Sequence, residues 1–417
     1  MISVPSYLAP LLSLFFSHGE RAFPVGGCVR DTLMGVPPHD WDVAVTTIPN
    51  ETMAICHAAG YRTVPTGLKH GTVTILVPLS GDPADRDGPY EMIECTTCRT
   101  EGGYSDGRHP DAVAFTGLIE DDLSRRDFTV NAMAFTQTDG ELAILDLFGG
   151  QKDLKNKVIR AVGDPDTRFT EDALRLLRAV RFAVKLGFAM EEGTYAAICR
   201  RAEGLSRISR ERVSEEFQKI LTSPEPERGV RLLDETGLLP YVLPHGISPM
   251  GTGALSALPA DFTVRAACLL WGQDSCKAEE NLAGLRLPNA VRKDILAITR
   301  STAMEIKATP KKARQWRHYM GALTLPALTV LRAHMEENDP AAAELEALIG
   351  LVEISITQNE PVRIADLDID GTDLIALGFK PGRLLQDILC DLLEVVWNNP
   401  AKNTREELIK EALKRKD

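Results

Sequence analysis

The chain has 417 residues, of which 44% are hydrophobic and 25% are charged, as in ordinary globular proteins. No apolar run approaches the roughly 20 residues that a membrane-spanning helix needs, so we expect a soluble, cytoplasmic protein with no membrane partner. The formal net charge of −12 argues against a surface that is basic throughout, as in many nucleic-acid binders. The length is more than one hydrophobic core usually serves, which predicts two to four domains.

The N-terminal segment YLAPLLSLFFSHG, residues 7–19, is apolar enough to suggest a signal peptide. It lacks a basic start and a small-residue cleavage site, so its helical spacing predicts a packed helix. Residues 1 to about 140 mix strand and helix signals. Short β-rich runs separated by Gly, Pro and Asp predict strands: WDVAVT, GTVTILVPL, YEMIECTT and ELAILDLF.

From residue 169 onward the pattern is almost entirely helical. In FTEDALRLLRAVRFAVKLGF, apolar residues recur at 174, 177, 180 and 184, Thr170 is the expected N-cap and Gly187 the expected stop. The predicted fold class is therefore α+β, with a small N-terminal mixed domain of sheet plus helices followed by a long all-α extension.

The eight cysteines are scattered along the chain. Cys95 and Cys98 form a lone C-x-x-C inside a predicted strand, and no second pair completes a zinc site. We therefore expect reduced, structural thiols.

Two stretches are locally basic, residues 175–219 and 307–320. A basic surface on an acidic protein can follow a phosphate backbone. The alternative for each stretch is an ordinary solvated helix face.

Asp40 and Asp42 flank Trp41 in PPHDWDVAV, which is one of five Asp-x-Asp triplets in the chain. In a strand, the two aspartates would project from the same face, with Trp41 buried on the other. Two carboxylates held so close are costly unless a cation lies between them, and oxygen ligands suit Mg²⁺. A third carboxylate could come from Glu91 or Glu94 on a neighbouring strand.

Gly26 and Gly27 follow a predicted strand and precede a helix in FPVGGCVRDTLMG. Such a turn lets backbone N–H groups approach a phosphate, although most Gly-Gly pairs are plain turns. Arg30 could add a cationic donor, or could form a structural bridge to Asp31 or Asp40. A phosphate-binding turn beside a carboxylate pair outlines a two-metal phosphoryl or nucleotidyl transfer site.

Five segments in order resemble the motif series of class II tRNA nucleotidyltransferases and bacterial poly(A) polymerases, in the polymerase-β-like nucleotidyltransferase superfamily: GGCVRDTLMGVPPHDWDVAV, RRDFTVNAMAF, DLFGGQKDL, RFTEDALRLLRAVRFAVKLGF and ISRERVSEEF. The resemblance is strong over residues 23–240 and weak beyond. It implies a catalytic head at 1–140, then an elongated all-α neck at 141–205, body at 206–290 and RNA-binding tail at 291–417.

The resemblance also implies an activity, the template-independent addition of CCA to the tRNA 3′ end from CTP and ATP. The RNA 3′-OH would attack the α-phosphate, with two Mg²⁺ ions as cofactors and pyrophosphate as the leaving group. Alternatives are a specialist that adds only CC or only A, a poly(A) polymerase, or a non-catalytic RNA-binding protein with a decayed head.

The site residues fall into five groups on this interpretation. The triphosphate would be bound by Gly26, Gly27 and Arg30. The metal ligands would be Asp40 and Asp42, with Glu94 as a candidate third. The ribose and phosphates would be surrounded by Arg125, Arg126, Asp127 and Asn131. The nucleobase would be read in the neck by Asp172, Arg175, Arg178 and Arg181. The RNA would be contacted by Arg207, Arg210, Arg212, Lys311, Lys312 and Arg314.

Asp172 and Arg175 carry the prediction about base choice. Three apart on a helix, they would place an acceptor beside a donor, which matches the N4/N3 edge of cytosine and the N6/N1 edge of adenine. Guanine and uracil present the opposite order and would be rejected. The alternative is a simple salt bridge between the two residues. The glycine-rich segment 101–115 could move as the pocket changes from C to A, or could be a plain connection.

Overall fold

The protein is described here from a computed structural model that covers residues 4–85, 87–102, 112–138, 141–248, 251–336 and 339–415. The N-terminal apolar segment forms helix α1 (Leu8–Ser17), which buries Leu8, Leu11 and Phe15 along one face. This spacing of three and four residues is that of a helix packed on a core, so the prediction for this segment is confirmed.

A five-stranded sheet forms the centre of the N-terminal region. Its strands are β1 (Ala22–Pro24), β2 (Val43–Val45), β3 (Arg62–Gly67), β4 (Thr72–Pro78) and β5 (Tyr90–Thr97). They lie in the order β1-β2-β5-β4-β3, and β2 and β5 are parallel while all other neighbours are antiparallel. The parallel pair aligns Val43 with Cys95, which brings the three residues of β2 beside the last three residues of β5.

Three two-stranded ribbons complete the strands of the described chain. They are β6 (Arg99–Gly102) with β7 (Ala112–Phe115), β8 (Met133–Thr138) with β9 (Glu141–Asp146), and β10 (Val158–Ile159) with β11 (Ala189–Met190). The first ribbon corrects the interpretation of 101–115 as one irregular loop, because its two ends pair as antiparallel strands. The predicted motion of this segment concerns residues 103–111, which lie outside the described residues.

Ten further helices lie between residues 27 and 242. They are α2 (Gly27–Leu33), α3 (Pro49–Ala58), α4 (Ile119–Ser124), α5 (Gly150–Asn156), α6 (Pro165–Glu171), α7 (Leu174–Leu186), α8 (Glu192–Arg201), α9 (Arg210–Leu221), α10 (Pro226–Glu235) and α11 (Leu239–Val242). Gly187 ends α7 with φ +67°, as predicted.

The single helix predicted from residue 169 is in fact two helices. Asp172 is extended, with φ −139° and ψ 102°, and separates α6 from α7. Thr170 lies inside α6 and is not an N-cap; Asp164 caps that helix by accepting a hydrogen bond from Thr167 N at 2.8 Å. The break is stabilised by the Asp172 side chain, which accepts a hydrogen bond from Leu174 N at 3.0 Å.

The remaining named elements are all helical. They are α12 (Phe262–Leu269), α13 (Ser275–Gly284), α14 (Asn289–Arg300), α15 (Pro310–Met320), α16 (Thr324–Ala333), α17 (Pro340–Thr357), α18 (Gly371–Ala376), α19 (Arg383–Asn398) and α20 (Arg405–Leu413). The chain divides into two compact units, Met1–Pro244 and His245–Asp417, and all the described strands belong to the first. The α+β class is therefore confirmed, while the boundaries at 140, 205 and 290 stay predictions. None of the helices in the described ranges is long and apolar enough to cross a membrane.

Two hydrophobic clusters lie on opposite faces of the five-stranded sheet and separate the side chains of β2. Trp41, Val43 and Val45 pack into one cluster together with α1. Ala44 packs into the other, which includes Ile119 of α4. This alternation decides which side of β2 each residue just before the strand faces.

The cysteines are all free thiols, and Cys28, Cys56, Cys95, Cys98 and Cys268 are buried. Burial raises the pKa of Cys28, Cys56 and Cys98 to about 12, so these thiols stay protonated at neutral pH. The five buried thiols are placed as expected of structural cysteines, whereas Cys199, Cys276 and Cys390 are exposed.

Candidate active site

The aspartate pair lies immediately before β2. Val25 N donates a hydrogen bond to Asp42 O at 2.9 Å, so the pairing of β1 with β2 continues one residue beyond the strand. Trp41 is only 7% exposed, whereas Asp40 and Asp42 are exposed. The predicted alternation is therefore confirmed, although the strand itself begins at Val43 rather than at Trp41.

Glu94 is the carboxylate on the neighbouring strand that is closest in register to Asp42. Because Val43 is aligned with Cys95, one step back along both strands brings Asp42 beside Glu94. Although the Asp42 residue as a whole is exposed, the protein around its carboxyl desolvates that group and raises its pKa. Arg126 opposes this shift, and the charges of Glu94 and Asp40 add to it. Glu91 is paired with Val77 further along β5, so it is not placed beside Asp42.

The metal-binding capacity of these carboxylates rests on their chemistry. No group of three His, Cys, Asp or Glu side chains within the described ranges is arranged to hold a metal ion. Asp40 Oδ1 lies 2.8 Å from His39 Nδ1, and both side chains are largely exposed. Asp40, Asp42 and Glu94 supply only oxygen ligands, and their repulsion would be relieved by a cation, so they fit Mg²⁺.

Gly26 forms the turn that leads into α2. It has φ +77° and ψ −122°, a conformation that residues with a Cβ atom rarely adopt. A Cβ atom there would lie 2.6 Å from Arg126 Nη1, so glycine also allows that guanidinium to approach. A Cβ at Gly27 would meet Arg30 Nη2 at an ordinary 3.7 Å, so only the first glycine of the pair is sterically required.

Arg30 is buried beneath this turn, with 4% exposure. Its Nε donates to Asp31 Oδ1 at 2.8 Å and its Nη1 to Asn131 Oδ1 at 2.6 Å. Of the two alternatives for a structural ion pair, Arg30 therefore forms the one with Asp31 and not the one with Asp40. The role of Arg30 in binding the triphosphate stays a prediction.

Asn131 and Asp127 extend this contact as a chain of hydrogen bonds. Asn131 Nδ2 donates to Asp127 Oδ1 at 3.1 Å, and Arg178 Nε donates to Asp127 Oδ2 at 2.7 Å. Burial alone would raise the pKa of Asp127, but the charge of Arg178 and these hydrogen bonds hold it below its usual range. The turn at Gly26 is thus connected to α7 through continuous polar contacts.

Arg125 and Arg126 share one buried carboxylate, Asp122, which is 1% exposed. Arg125 binds Oδ1 through Nε at 3.1 Å and Nη2 at 2.5 Å, and Arg126 binds Oδ2 through Nε at 3.2 Å and Nη2 at 3.0 Å. Asp122 is not among the site residues predicted from the sequence. Its spacing of three and four residues from the two arginines on a helix is the pattern that indicates such ion pairs.

A cavity of about 240 Å³ opens beside these arginines. Its lining comprises Val25, Asp42, Val43, Ala44, His70, Thr72, Glu94, Thr96, Arg99, Arg125 and Arg126. Carboxylates that suit a metal and guanidiniums that suit phosphates therefore line one space.

The proposed base readers are arranged differently from the prediction. Asp172 is not on a helix with Arg175, and each of the two side chains has a different ion-pair partner, so the alternative salt bridge between them is not formed. Asp172 Oδ2 accepts from Arg212 Nη2 at 3.0 Å, whereas Arg175 Nη1 donates to Glu171 Oε2 at 2.7 Å. Arg175 Nη2 also donates to the backbone carbonyl of Arg125 at 2.9 Å. The helix break at Asp172 is the physical reason for the difference.

Arg178 and Arg181 surround one aromatic ring. Arg181, Arg178 and Arg30 lie 4.3, 5.4 and 5.5 Å from the centre of the Phe182 ring. Arg181 Nη1 also donates to Glu216 of α9 at 3.2 Å. The ring face is favourable for cations and helps three guanidiniums to lie close together.

Two of the three predicted RNA-binding arginines near α9 are engaged inside the protein. Arg210 donates to the backbone carbonyls of Tyr241 and Val242, and Arg212 binds Asp172. Only Arg207 is exposed. The guanidiniums of Arg210 and Arg212 thus serve packing within the first unit, and their contact with RNA stays a prediction.

In the second unit, Arg314 also departs from its predicted role. It is 6% exposed, binds both carboxylate oxygens of Glu360 at 2.6 and 2.8 Å, and donates to Trp397 O at 2.6 Å. It therefore joins three segments of the unit, and its contact with RNA stays a prediction that its burial does not favour. Lys311 and Lys312 are partly exposed. Lys311 Nζ lies 3.9 Å from Glu394 Oε2, and Lys312 forms a surface ion pair with Glu305.

Comparison with known proteins is consistent along the whole chain. A family model described as Poly A polymerase head domain matches residues 22–160. One described as Probable RNA and SrmB-binding site of polymerase A matches 187–248, and one described as tRNA nucleotidyltransferase domain 2 matches 264–412.

Individual relatives agree with these models. The chain is similar to the CCA-adding enzymes of Limosilactobacillus fermentum, with 36% identity over 97% of this chain and 95% of the relative, and of Latilactobacillus sakei, with 38% over 97% and 96%. It resembles the crystal structure of the Bacillus stearothermophilus CCA-adding enzyme in complex with CTP, with a TM-score of 0.78, 30% identity, and 99% and 98% of the two chains covered. The chain therefore belongs to the family of CCA-adding enzymes and is a tRNA nucleotidyltransferase.

Proposed function

We propose that the chain adds C, C and A in order to the 3′ end of tRNA, using CTP and ATP without a nucleic-acid template. The observation that carries the proposal is the cavity of about 240 Å³, whose lining includes both the carboxylates Asp42 and Glu94 and the guanidiniums of Arg125 and Arg126. Nucleotidyl transfer needs this combination of metal ligands and phosphate donors. The shared name of the relatives, and the CTP in the Bacillus stearothermophilus structure, support the substrates.

Asp40, Asp42 and Glu94 are the residues that would hold divalent cations, and we propose two Mg²⁺ ions. Such ions lower the pKa of an attacking hydroxyl and neutralise a leaving pyrophosphate. The carboxylates would orient the RNA 3′-OH towards the α-phosphate, whose bond to the pyrophosphate breaks as the new phosphodiester bond forms. Desolvation of the Asp42 carboxyl, together with the nearby charges of Glu94 and Asp40, raises its pKa, and a cation bound at this point would offset these effects.

The triphosphate would lie against the Gly26 turn and the arginine pair. Arg126 makes hydrogen bonds through Nε and Nη2 to Asp122 and through Nη1 to Asn131 O. These bonds use three of its five N–H donors, which leaves two for phosphate oxygens. The glycine turn lets this guanidinium lie directly against the backbone, so phosphates bound there would meet both groups.

Base selection is proposed to use Asp172 and Arg175, with Arg178 and Arg181 beside them. Each oxygen of a carboxylate can accept two hydrogen bonds, so Asp172 retains capacity for the amino group of cytosine or adenine despite its bonds to Leu174 and Arg212. Arg175 makes three hydrogen bonds to described residues and keeps two N–H donors for N3 or N1.

RNA binding is proposed for Arg207, which is exposed, and for Lys311 and Lys312, which are partly exposed. Their side chains reach solvent, which phosphate contacts require. The division into head, neck, body and tail at residues 140, 205 and 290 is part of the same proposal.

The test is to incubate the protein with Mg²⁺, a tRNA that ends before its CCA, and CTP and ATP separately and together, and to sequence the products. We expect CC from CTP alone and CCA from both nucleotides. Products that stop at CC, that require CC beforehand, or that carry long A tails would replace the proposal with a specialist or a poly(A) polymerase. RNA binding without incorporation would indicate a non-catalytic protein.

A further inference from the structure

Asp122 is a buried negative charge between two residues of the proposed triphosphate site. It lies on α4, one turn before Arg125 and Arg126, and both of its oxygens are bound by their guanidiniums. The arginine side chains are 20% and 22% exposed and the Asp122 side chain is 1% exposed. One carboxylate therefore holds two cations that face a solvent-accessible cavity.

The geometry divides the carboxylate between the arginines. Arg125 takes Oδ1 and Arg126 takes Oδ2, and each is bound through Nε and Nη2. Two donors on one oxygen fix the plane and direction of a guanidinium far better than a single contact does. The Nη1 of Arg126 is thereby directed to Asn131 O, at 3.5 Å, and to the Gly26 turn.

The charge balance gives Asp122 a second effect. Burial would raise its pKa, but the guanidiniums of Arg126 and Arg125 hold the pKa below its usual range, so the group is ionised at neutral pH. Two arginines and one carboxylate leave this three-residue cluster with a net charge of +1, which suits a polyphosphate. Arg126 lines the same cavity as Asp42, yet the ion-pair partner of Arg126 is Asp122.

We propose that Asp122 is a positioning residue for the nucleotide triphosphate, which it does not touch. It holds Arg125 and Arg126 towards the cavity and keeps Arg126 from forming an ion pair with the proposed metal ligand Asp42. This inference rests on the proposed function, since it names the residue that organises the phosphate-binding arginines of that site.

The variant that tests the inference is Asp122→Asn, which keeps the shape of the side chain and removes its charge. We expect the KM for CTP and ATP to rise about tenfold or more, because each arginine loses a charge-assisted bond. Pyrophosphate, as a product-like probe, should lose affinity by a similar factor in calorimetry. The kcat should fall less than kcat/KM. The melting temperature should also fall, because the ionised carboxylate stabilises the fold, so both proteins are compared well below it.

The matched control is Asp121→Asn, the same change at the neighbouring residue. Asp121 Oδ2 accepts a hydrogen bond from Thr116 Oγ1 at 2.9 Å and is not the carboxylate that pairs with the arginines. This variant should keep the wild-type KM and pyrophosphate affinity. A similar rise of KM in both variants would overturn the inference, as would wild-type pyrophosphate affinity in Asp122→Asn.

A second variant covers the case in which Asp122→Asn does not fold. Asp122→Glu keeps the charge but moves it by one methylene, so it should fold and show weaker pyrophosphate binding through displaced arginines. A folded Asp122→Glu with wild-type affinity would contradict the inference. Calorimetry with pyrophosphate needs no RNA, so it distinguishes a failure here from a failure of the proposed CCA addition, which appears only in the products made by the wild type.

Discussion

Arg212 Nη2 donates a hydrogen bond to Asp172 Oδ2 at 3.0 Å and joins α9 to the break between α6 and α7, across 40 residues of sequence. The other carboxylate oxygen of Asp172 accepts from Leu174 N at the start of α7. The carboxylate is therefore held from two sides. A group held in this way can discriminate between base edges, because a wrong edge cannot rotate it into a compatible position.

Replacement of Arg212 should weaken base discrimination more than it weakens activity. In Arg212→Met, Asp172 keeps only its bond to Leu174, and its side chain gains rotational freedom. We expect the ratio of kcat/KM for CTP over UTP to fall on the order of tenfold. Steady-state kinetics with each of the four nucleotides measures this ratio. Arg212→Lys, which retains a cation, should lie between the two, and an unchanged ratio in Arg212→Met would show that Asp172 does not depend on this bond.

Replacement of Asp42 should abolish incorporation without harming the fold. Asp42→Asn removes a proposed metal ligand, and we expect kcat to fall at least about a thousandfold. The raised pKa of Asp42 means that its ionised form is disfavoured in the folded protein, so the variant should melt at the wild-type temperature or slightly above it. Asp87→Asn, at an exposed aspartate of another Asp-x-Asp triplet, is the control and should be fully active. Substantial activity in Asp42→Asn would remove the metal assignment.

Gly26→Ala and Gly35→Ala separate backbone strain from a steric effect on the site. Both glycines have positive φ, +77° and +71°, so alanine at either should cost roughly 1–2 kcal/mol of stability. Only at position 26 would the new Cβ atom meet Arg126; at position 35 nothing lies within 4 Å. Urea unfolding should therefore show a loss in both variants, and the KM for CTP should rise only in Gly26→Ala. An equal KM in the two variants would count against contact between Arg126 and the triphosphate.

Arg314 should matter for stability and not for RNA binding. Arg314→Ala leaves Glu360 without its bidentate partner in a nearly buried position, and we expect a loss of about 3–5 kcal/mol in the free energy of unfolding. Lys312→Ala, at a surface pair, should change stability little.

The double variant Lys311→Ala, Lys312→Ala should weaken tRNA binding and flatten the salt dependence of that binding, measured by titration at several salt concentrations. An unchanged salt slope in that variant would exclude these lysines from the RNA surface.

The ion pair of Asp127 with Arg178 predicts a specific pH dependence. The pKa of Asp127 is lowered in the folded state, so its contribution to stability is complete above the ordinary aspartate pKa of about 3.9. That contribution is lost as the pH falls through the lowered pKa. The difference in unfolding free energy between the wild type and Asp127→Asn should therefore be constant near pH 6 and shrink towards pH 3. A difference that grows on acidification would contradict the direction assigned to this carboxyl.

Much of the architecture could be predicted from local pattern. The helical face of α1, the strands β4 and β5, the stop at Gly187, and the burial of Trp41 between exposed aspartates are each encoded within a few neighbouring residues. The ribbon β6–β7 was missed because strands of four residues in a polar, glycine-rich segment carry little periodic signal. The break at Asp172 was missed because a continuous helical pattern runs through it.

By itself the sequence determined the family, the α+β class and the residues from which the site is built, since motifs and periodicity are properties of neighbouring positions. Tertiary structure alone decided which charged groups that are distant in the sequence form ion pairs. Asp172 binds Arg212 rather than Arg175, and Arg314 binds Glu360, 46 residues away, rather than RNA. Such pairs depend on how helices and strands pack together, and many carboxylates in the chain could serve each arginine equally well until packing selects one.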